Sequence, residues 1–545
     1  MKKLTISSSK LILILTIYFS TVLNMSFWRY IYNNLDITNF RVACFAFSIF
    51  FLIAIPLFVL FNLTIIKKFA KPFIVFLLLL SSFTNFMMFK YGVYINSDMI
   101  QTVMETNVKE ATDLITVSLV LWVFITGVIP SVLLIITKIQ YKPLKIEFKK
   151  RCKYVIICLL FASVTGVLLY KEYISFGRNN HKIMKLINVC NYTSGTIKYI
   201  RKLQLAKREF VELDKNPQYV GYHKDNKQLY TVVIFIIGET ARASSFSLNG
   251  YERKTNPLLE KQNIAYFKNV HSCGTLTAVS VPCMFSNMNR SDFDSIDANF
   301  TENFLDLAQK SGYQIIWKEN DGGCKSVCNR VNYISMTDVN NPQYCHDGYC
   351  YDESLLDDLD DILANIKQNT LIVLHTQGSH GPTYYQRYPD KFKKFVPTCD
   401  TADIQNCSLN QIINTYDNTI LYTDFIISST IDMMKKFPQY EASVIYVSDH
   451  GESLGENNIY LHGMPYKIAP IDQIHVPMLV WMNENMKKWD YINYDCLKEI
   501  ADKNAYSHDN IFHSLLGLLK IKTSVYDGNY DLFKECRMKA LPSAL

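Results

Sequence analysis

The 545-residue chain has no surplus of basic residues beyond its first third and no small-residue cleavage site after its first apolar stretch. It also lacks repeated C-x2-C knuckles, internal repeats and low-complexity segments. Each absence closes a class. Residues 1–172 hold 18 Lys and Arg against 7 Asp and Glu, and the remainder holds 38 against 42. The formal charge of +7 therefore belongs to the N-terminal third and gives no support to nucleic-acid binding. Without a cleavage site the first stretch is not a removed signal peptide. The cysteine spacings C-x9-C, C-x3-C, C-x4-C and C-x7-C do not match the knuckles of structural zinc sites.

What is present is a series of five uncharged apolar stretches: Leu11 to Trp28, Val42 to Ile66, Pro72 to Phe89, Leu114 to Thr137 and Tyr154 to Tyr170. Each approaches or exceeds the ~20 residues that cross a bilayer as a helix. Lys2, Lys3 and Lys10 precede the first. Lys67, Lys68 and Lys71 fill the second loop, and Lys138, Lys142, Lys145, Lys149, Lys150, Arg151 and Lys153 fill the fourth, whereas the first and third loops are balanced. Basic residues stay inside, so five spans starting inside leave the C-terminal part outside. Cysteine usage agrees: ten of the 14 cysteines lie beyond Ser272, as expected of an exported, oxidised domain. Neighbour pairing predicts Cys273 with Cys283, Cys324 with Cys328, Cys345 with Cys350 and Cys399 with Cys407, with Cys496 and Cys536 as a fifth pair.

Residues 173–228 read as amphipathic bridging helices lying on the outer leaflet or as a solvated linker. From residue 229 to 545 the β-branched runs "LYTVVIFIIGET", "YQIIWKEN", "TLIVLHTQGSH", "ASVIYVSDHGES" and "VPMLVWMN" alternate with helical segments. Near-continuous apolar strands between helices predict an α/β domain with a largely parallel sheet, whose working residues collect at the carboxyl ends of the strands. Those ends carry Glu239, His375, His380, Asp449, His450 and, in "YLHGMP", His462. Carboxylates, an Asp-His pair and a hydroxyl make an oxygen and nitrogen shell suited to zinc. The stretch "HSCGTLTAVSVPC" offers the hydroxyl, which a divalent metal would make nucleophilic. Thr275, Thr277 and Ser280 all compete for that role on spacing alone. A helix starting at Thr277 would also turn free backbone N–H groups toward a phosphoryl oxygen.

The segments "GETARASSFSLNGYERKTNP", "SCGTLTAVSVPCMFS", "GSHGPTYYQRYP", "SDHGESLGE" and "LHGMPY" closely resemble the membrane-bound phosphoethanolamine transferases, most of all those acting on lipid A, which include the mobile colistin-resistance type. The resemblance spans nearly the whole chain. It implies five transmembrane helices in residues 1–172, a bridging linker and an α/β domain of alkaline phosphatase/sulfatase-like fold in the periplasm of a bacterial inner-membrane protein. It places zinc ligands on Glu239, Thr277, Asp449 and His450, and the nucleophile on Thr277 rather than Thr275. His380 and His462 fall on further active-site positions, for a second zinc or for proton transfer. Thr275, Lys325 and Glu452 fall on substrate contacts, as does Glu105 in the third loop. The loop "ENDGGCK" departs from the family's usual Asn and Ser, so the resemblance assigns no contact to Asp321 or Gly322.

By the same resemblance the donor is phosphatidylethanolamine and the acceptor a lipid A phosphate, with a phosphothreonine-type intermediate, a monomeric enzyme in contact with membrane lipid, and polymyxin resistance as the outcome. Transfer to core heptose or Kdo is the alternative, as is a membrane scaffold without turnover. A sulfatase is disfavoured, because "CMFSN" is not the C-x-P-x-R segment its modified cysteine needs.

Overall fold

The structure, a computed structural model, describes residues 5–538 except 38, 66–68, 94, 98, 101–103, 105–115, 181–182, 206, 222–228, 347 and 490–491. Glu105 thus lies outside the described residues. The chain forms two compact units, Met1–Arg208 and Glu209–Leu545.

In the first unit α1 (Ser8–Ser20), α2 (Met25–Asn34), α3 (Phe40–Thr64), α4 (Ala70–Tyr91), α5 (Val117–Ile136) and α6 (Leu144–Leu168) supply five stretches long and apolar enough to cross a membrane, with α1 and α2 together forming the first. Continuous hydropathy hides the break between these two. A 3-10 turn at Val22–Asn24 separates them, and the buried Asn24 amide donates to the Phe19 carbonyl at 2.7 Å while its oxygen accepts from the Asn188 backbone at 2.7 Å. An Asn side chain that bonds local backbone in this way competes with the helix ladder. The apolar stretch of α6 buries none of its residues in protein, which suits a lipid-facing helix. Helices α7 (Tyr170–Asn179) and α8 (Cys190–Leu205) pack into the same unit through Phe176 and Tyr192. Glu172, at the edge of the apolar series, is buried within α7 and paired with Arg41.

The second unit is built on one eight-stranded sheet among the described residues. In chain order its strands are β1 (Thr231–Gly238), β2 (Ala265–His271), β3 (Gln314–Glu319), β4 (Asn332–Ser335), β5 (Thr370–His375), β6 (Glu441–Ser448), β7 (His475–Met482) and β8 (Ala505–Ser507). Their spatial order is β8-β2-β7-β6-β1-β5-β3-β4, and β7 alone runs antiparallel to its neighbours. The central strands are buried on both faces, as the unbroken apolar runs require. On one face Phe235, Phe285, Phe304, Trp317 and Phe512 share a core with α9 (Thr277–Met284), α10 (Phe304–Lys310) and α12 (Asp509–Leu518). The long α11 (Leu409–Lys435) buries Ile412, Tyr416, Ile420 and Ile427 and packs against β6.

Register decides what meets at the sheet's edge. Ser448 of β6 lies opposite Gly238 of β1, His375 of β5 opposite Ile237, and the same His375 opposite Glu319 of β3. These strands are parallel, so Asp449, Glu239, His375 and Asp321 emerge together from their carboxyl ends. Disulfides join Cys273 to Cys283, Cys324 to Cys328, Cys345 to Cys350, Cys399 to Cys407 and Cys496 to Cys536, as neighbour pairing predicts. The unbridged cysteines, Cys44, Cys152, Cys158 and Cys190, all lie in the first unit.

Candidate active site and metal centre

Helix α9 begins at Thr277, directly after the stapled turn. There the Thr277 hydroxyl donates to Glu239 Oε2 at 3.0 Å and lies 3.4 Å from His450 Nε2. His450 Nε2 is in turn 3.3 Å from Asp449 Oδ2 and 3.6 Å from Glu239 Oε1. The two competing hydroxyls are taken by backbone. Thr275 donates to the Met464 carbonyl at 2.7 Å, and Ser280 accepts from the Gly274 N–H at 2.9 Å and donates to the Gly274 carbonyl. Of the three, Thr277 alone faces the acidic and imidazole groups. Gly378, with φ of +48°, passes so close behind Glu239 that a Cβ would sit 2.6 Å from the Glu239 carbonyl oxygen.

The electrostatics call for a cation. Burial, followed by the charges of Asp449 and Asp321, holds the Glu239 carboxyl well above the usual carboxylate range. Burial likewise pushes Asp449 up, to about 6. Two buried acids this close cannot both ionise cheaply without a positive partner. Asp449 Oδ2 is buried with no hydrogen-bond partner, an arrangement that native structures avoid unless something fills it. His450 Nδ1 sits 3.0 Å from the Gly451 carbonyl, which fixes the ring with Nε2 toward the cluster, the orientation seen behind metal-bound imidazoles. Ligand atoms of Glu239, Asp449 and His450 lie within 4.8 Å of one another. This donor set fits zinc, whose bonds to such atoms are ~2.0 to 2.2 Å.

His380 and His462 reach the same place from other loops, their ligand atoms lying within 4.8 Å of Glu239 and of each other. Glu452 bonds to His462. It is fully buried, with Oε2 at 2.7 Å from His462 Nδ1 and Oε1 accepting from the Tyr384 hydroxyl at 2.5 Å. These bonds let Glu452 orient the His462 imidazole. Lys325, in the left-handed region at φ of +51°, extends its ammonium to 3.3 Å from Asp321 Oδ2 on the rim.

Two groups escaped the sequence reading. Asp321, set aside because its loop is atypical, joins Glu239 and His375 in a further cluster. His508 was invisible because it follows the short β8 and belongs to no motif. It accepts the Cys273 N–H at Nδ1, 3.1 Å away, and donates from Nε2 to the Ser448 carbonyl at 3.0 Å, tying the turn before Thr277 to the last residue of β6, just ahead of Asp449. An accepting Nδ1 requires a neutral ring, and burial lowers the His508 pKa to about 3. The folded pKa lies below the unfolded value of about 6.5, so the stability contribution is complete above pH 6.5 and is lost as pH falls toward 3. His508→Gln should flatten the acid limb, which in the parent falls by up to about 1.4 kcal/mol per pH unit in this window. Denaturant melts between pH 4 and 7 measure it.

Residues 231–521 match the sulfatase family model, and residues 52–203 match that of phosphoethanolamine transferase EptA/EptB. Over 538 residues, 96% of each chain, the sequence is 38% identical to phosphoethanolamine transferase EptA of Salmonella typhimurium. The chain belongs to the phosphoethanolamine transferases. Phosphatidylethanolamine transferase Mcr-2 of Escherichia coli is 34% identical over 83% of this chain and 84% of its own. The solved structure of the integral membrane lipooligosaccharide phosphoethanolamine transferase A of Neisseria meningitidis aligns with a TM-score of 0.65 at 36% identity, covering 98% and 99% of the two chains. This phosphoethanolamine transferase is a multi-pass protein of the bacterial inner membrane, with five apolar helical stretches among the described residues and a sulfatase-type α/β catalytic unit in the periplasm.

Proposed function

We propose that the protein moves phosphoethanolamine from phosphatidylethanolamine to a phosphate of lipid A, and that Thr277 carries the group between them. The observation behind this is the Thr277 hydroxyl, which meets Glu239 and His450 at the first residue of a helix. The donor follows the name of the Mcr-2 relative, and the acceptor class follows that of the Neisseria lipooligosaccharide enzyme.

In this reading Glu239, Thr277, Asp449 and His450 would hold zinc, which would supply Lewis-acid stabilisation of charge at phosphorus. Thr277 Oγ1 forms a bond to the donor phosphorus and gives up its proton to Glu239, toward which it already points. The phosphorus–oxygen bond to diacylglycerol breaks, and the departing oxygen takes a proton from the His380 and His462 side. In the second half an acceptor phosphate oxygen attacks the same phosphorus, its own proton restoring the His380 and His462 side, and the bond to Thr277 breaks as Glu239 returns the proton to Oγ1. The backbone N–H groups at the start of α9 and the Lys325 ammonium favour the phosphoryl oxygens. Glu452 keeps His462 in the correct tautomer, as carboxylates do for catalytic imidazoles. Both substrates are lipids, so a site tethered to the membrane replaces a three-dimensional search with a positioned encounter. An added amine lowers the negative charge of the outer surface, and polymyxins bind it less well.

Mass spectrometry of lipid A from cells making the protein should show one added phosphoethanolamine group, absent from cells making Thr277→Ala. Unmodified lipid A with the group on core sugars would transfer the acceptor assignment to the core, and no added group anywhere would overturn the reading.

A further inference from the structure

We propose that Asp321, His375 and Glu239 form a second divalent-cation site of zinc type, distinct from the one that includes Thr277, with Glu239 shared between the two. The inference rests on the reading above, because Glu239 also serves the first site.

Three observations carry it. The ligand atoms of Glu239, Asp321 and His375 lie within 4.8 Å of one another at the carboxyl edge of β1, β3 and β5. His375 is fully buried, yet its Nε2 has no hydrogen-bond partner; it lies 4.0 Å from Asp321 Oδ2, too far for a direct bond. A buried imidazole nitrogen left unmatched is costly and rare in native proteins. Third, the other nitrogen is anchored as metal-bound histidines are: Nδ1 sits 2.9 Å from Glu319 Oε2. Glu319 is itself rigid, accepting from Trp317 Nε1 at 2.9 Å and, through Oε1, from the backbone N–H groups of Asp321 and Gly322 at 2.7 and 3.1 Å. One carboxylate therefore orients the imidazole and also holds the loop that presents Asp321.

The charge balance points the same way. Glu239, Glu319, Asp321 and Asp449 bring four carboxyl groups to this edge, against two permanent cations: Lys325 beside Asp321, and the buried Arg387, whose charge acts on Asp321 and Glu239. One imidazole nitrogen with two carboxylates is a donor set for zinc or manganese rather than for the all-oxygen ions magnesium and calcium. A cation here offsets the negative charge gathered around Glu239 and favours its ionised carboxylate at the first site. The rival occupant of the same space is a proton on His375 Nε2. Although burial alone would lower it, the charges of Glu319, Asp321 and Glu239 raise the His375 pKa to about 9.

The test is zinc stoichiometry, by elemental analysis of the full-length detergent-purified protein equilibrated with zinc, paired with anomalous diffraction at the zinc edge. His375→Gln and Asp321→Asn should each lose one zinc equivalent relative to the parent, while Asp449→Asn loses a different one. An anomalous peak should lie within bonding distance of His375 Nε2. Parent-like zinc content in both His375→Gln and Asp321→Asn, with no peak there, would overturn the proposal in favour of the proton. If Asp449→Asn alone lowers the content, this inference fails and the functional reading stands. If none of the variants lowers it, both fail. Thermal melts of each variant confirm folding, and Asp321→Asn, on a loop and nearly unchanged in volume, guards against a core defect at His375.

Discussion

Replacing Thr277 with alanine should lower phosphoethanolamine transfer by at least about 10³-fold, because in the proposed mechanism it removes the atom that forms the covalent bond rather than one that tunes it. Thr277→Ser keeps an oxygen at the same place and should retain a measurable fraction of the rate. The fold should be unaffected by either change. Thr277 is half-buried at the first position of α9, where no intrahelical bond depends on its side chain, and the turn before it is fixed by the Cys273–Cys283 bridge and by His508. Rates measured on lipid substrates, with thermal melts of the same preparations, separate loss of chemistry from loss of structure. Equal activities for the alanine and serine variants would show that the hydroxyl is not the nucleophile.

Asp449→Asn should cost at least about 100-fold in activity, since even residues that merely orient metal ligands cost 10–100-fold when altered. The unpartnered Asp449 Oδ2 becomes an amide nitrogen or a neutral oxygen, and either is a poor zinc ligand. The substitution also relieves the repulsion between the buried Asp449 and Glu239 carboxyls, so in the absence of metal the variant should be as stable as the parent or more so. Added zinc should raise the melting temperature of the parent more than that of the variant, by mass action on the folded state. A chelator should abolish the difference. Similar zinc stabilisation of both proteins would place the ion elsewhere.

The parts legible in the sequence were those that a periodic pattern or a strand end marks. The β-branched runs announce β1, β3, β5, β6 and β7, and the polar residues that close them, Glu239, Asp449 and His450, are the ones the parallel register brings together. Thr277 was not separable from Thr275 or Ser280 by spacing, because the distinction lies in which hydroxyls the backbone consumes. Thr275 is spent on Met464 and Ser280 on Gly274. Resemblance places Glu452 among the substrate contacts, and its bonds to Tyr384 and His462 are a further feature that only the folded chain reveals. The break between α1 and α2 leaves no trace in hydropathy, since there Asn24 meets Asn188 from the turn before α8, far along the chain. His508 and Asp321 act through contacts that no local pattern encodes.

The central claim is that Thr277 accepts the headgroup, and intact-protein mass spectrometry followed by peptide mapping tests it most directly. Protein incubated with phosphatidylethanolamine and no acceptor should gain one phosphoethanolamine group on the peptide that contains Thr277, and the group should leave when lipid A is added. A protein that turns over the same donor while the Thr277 peptide stays unmodified, or that carries the group on another residue, would contradict the account.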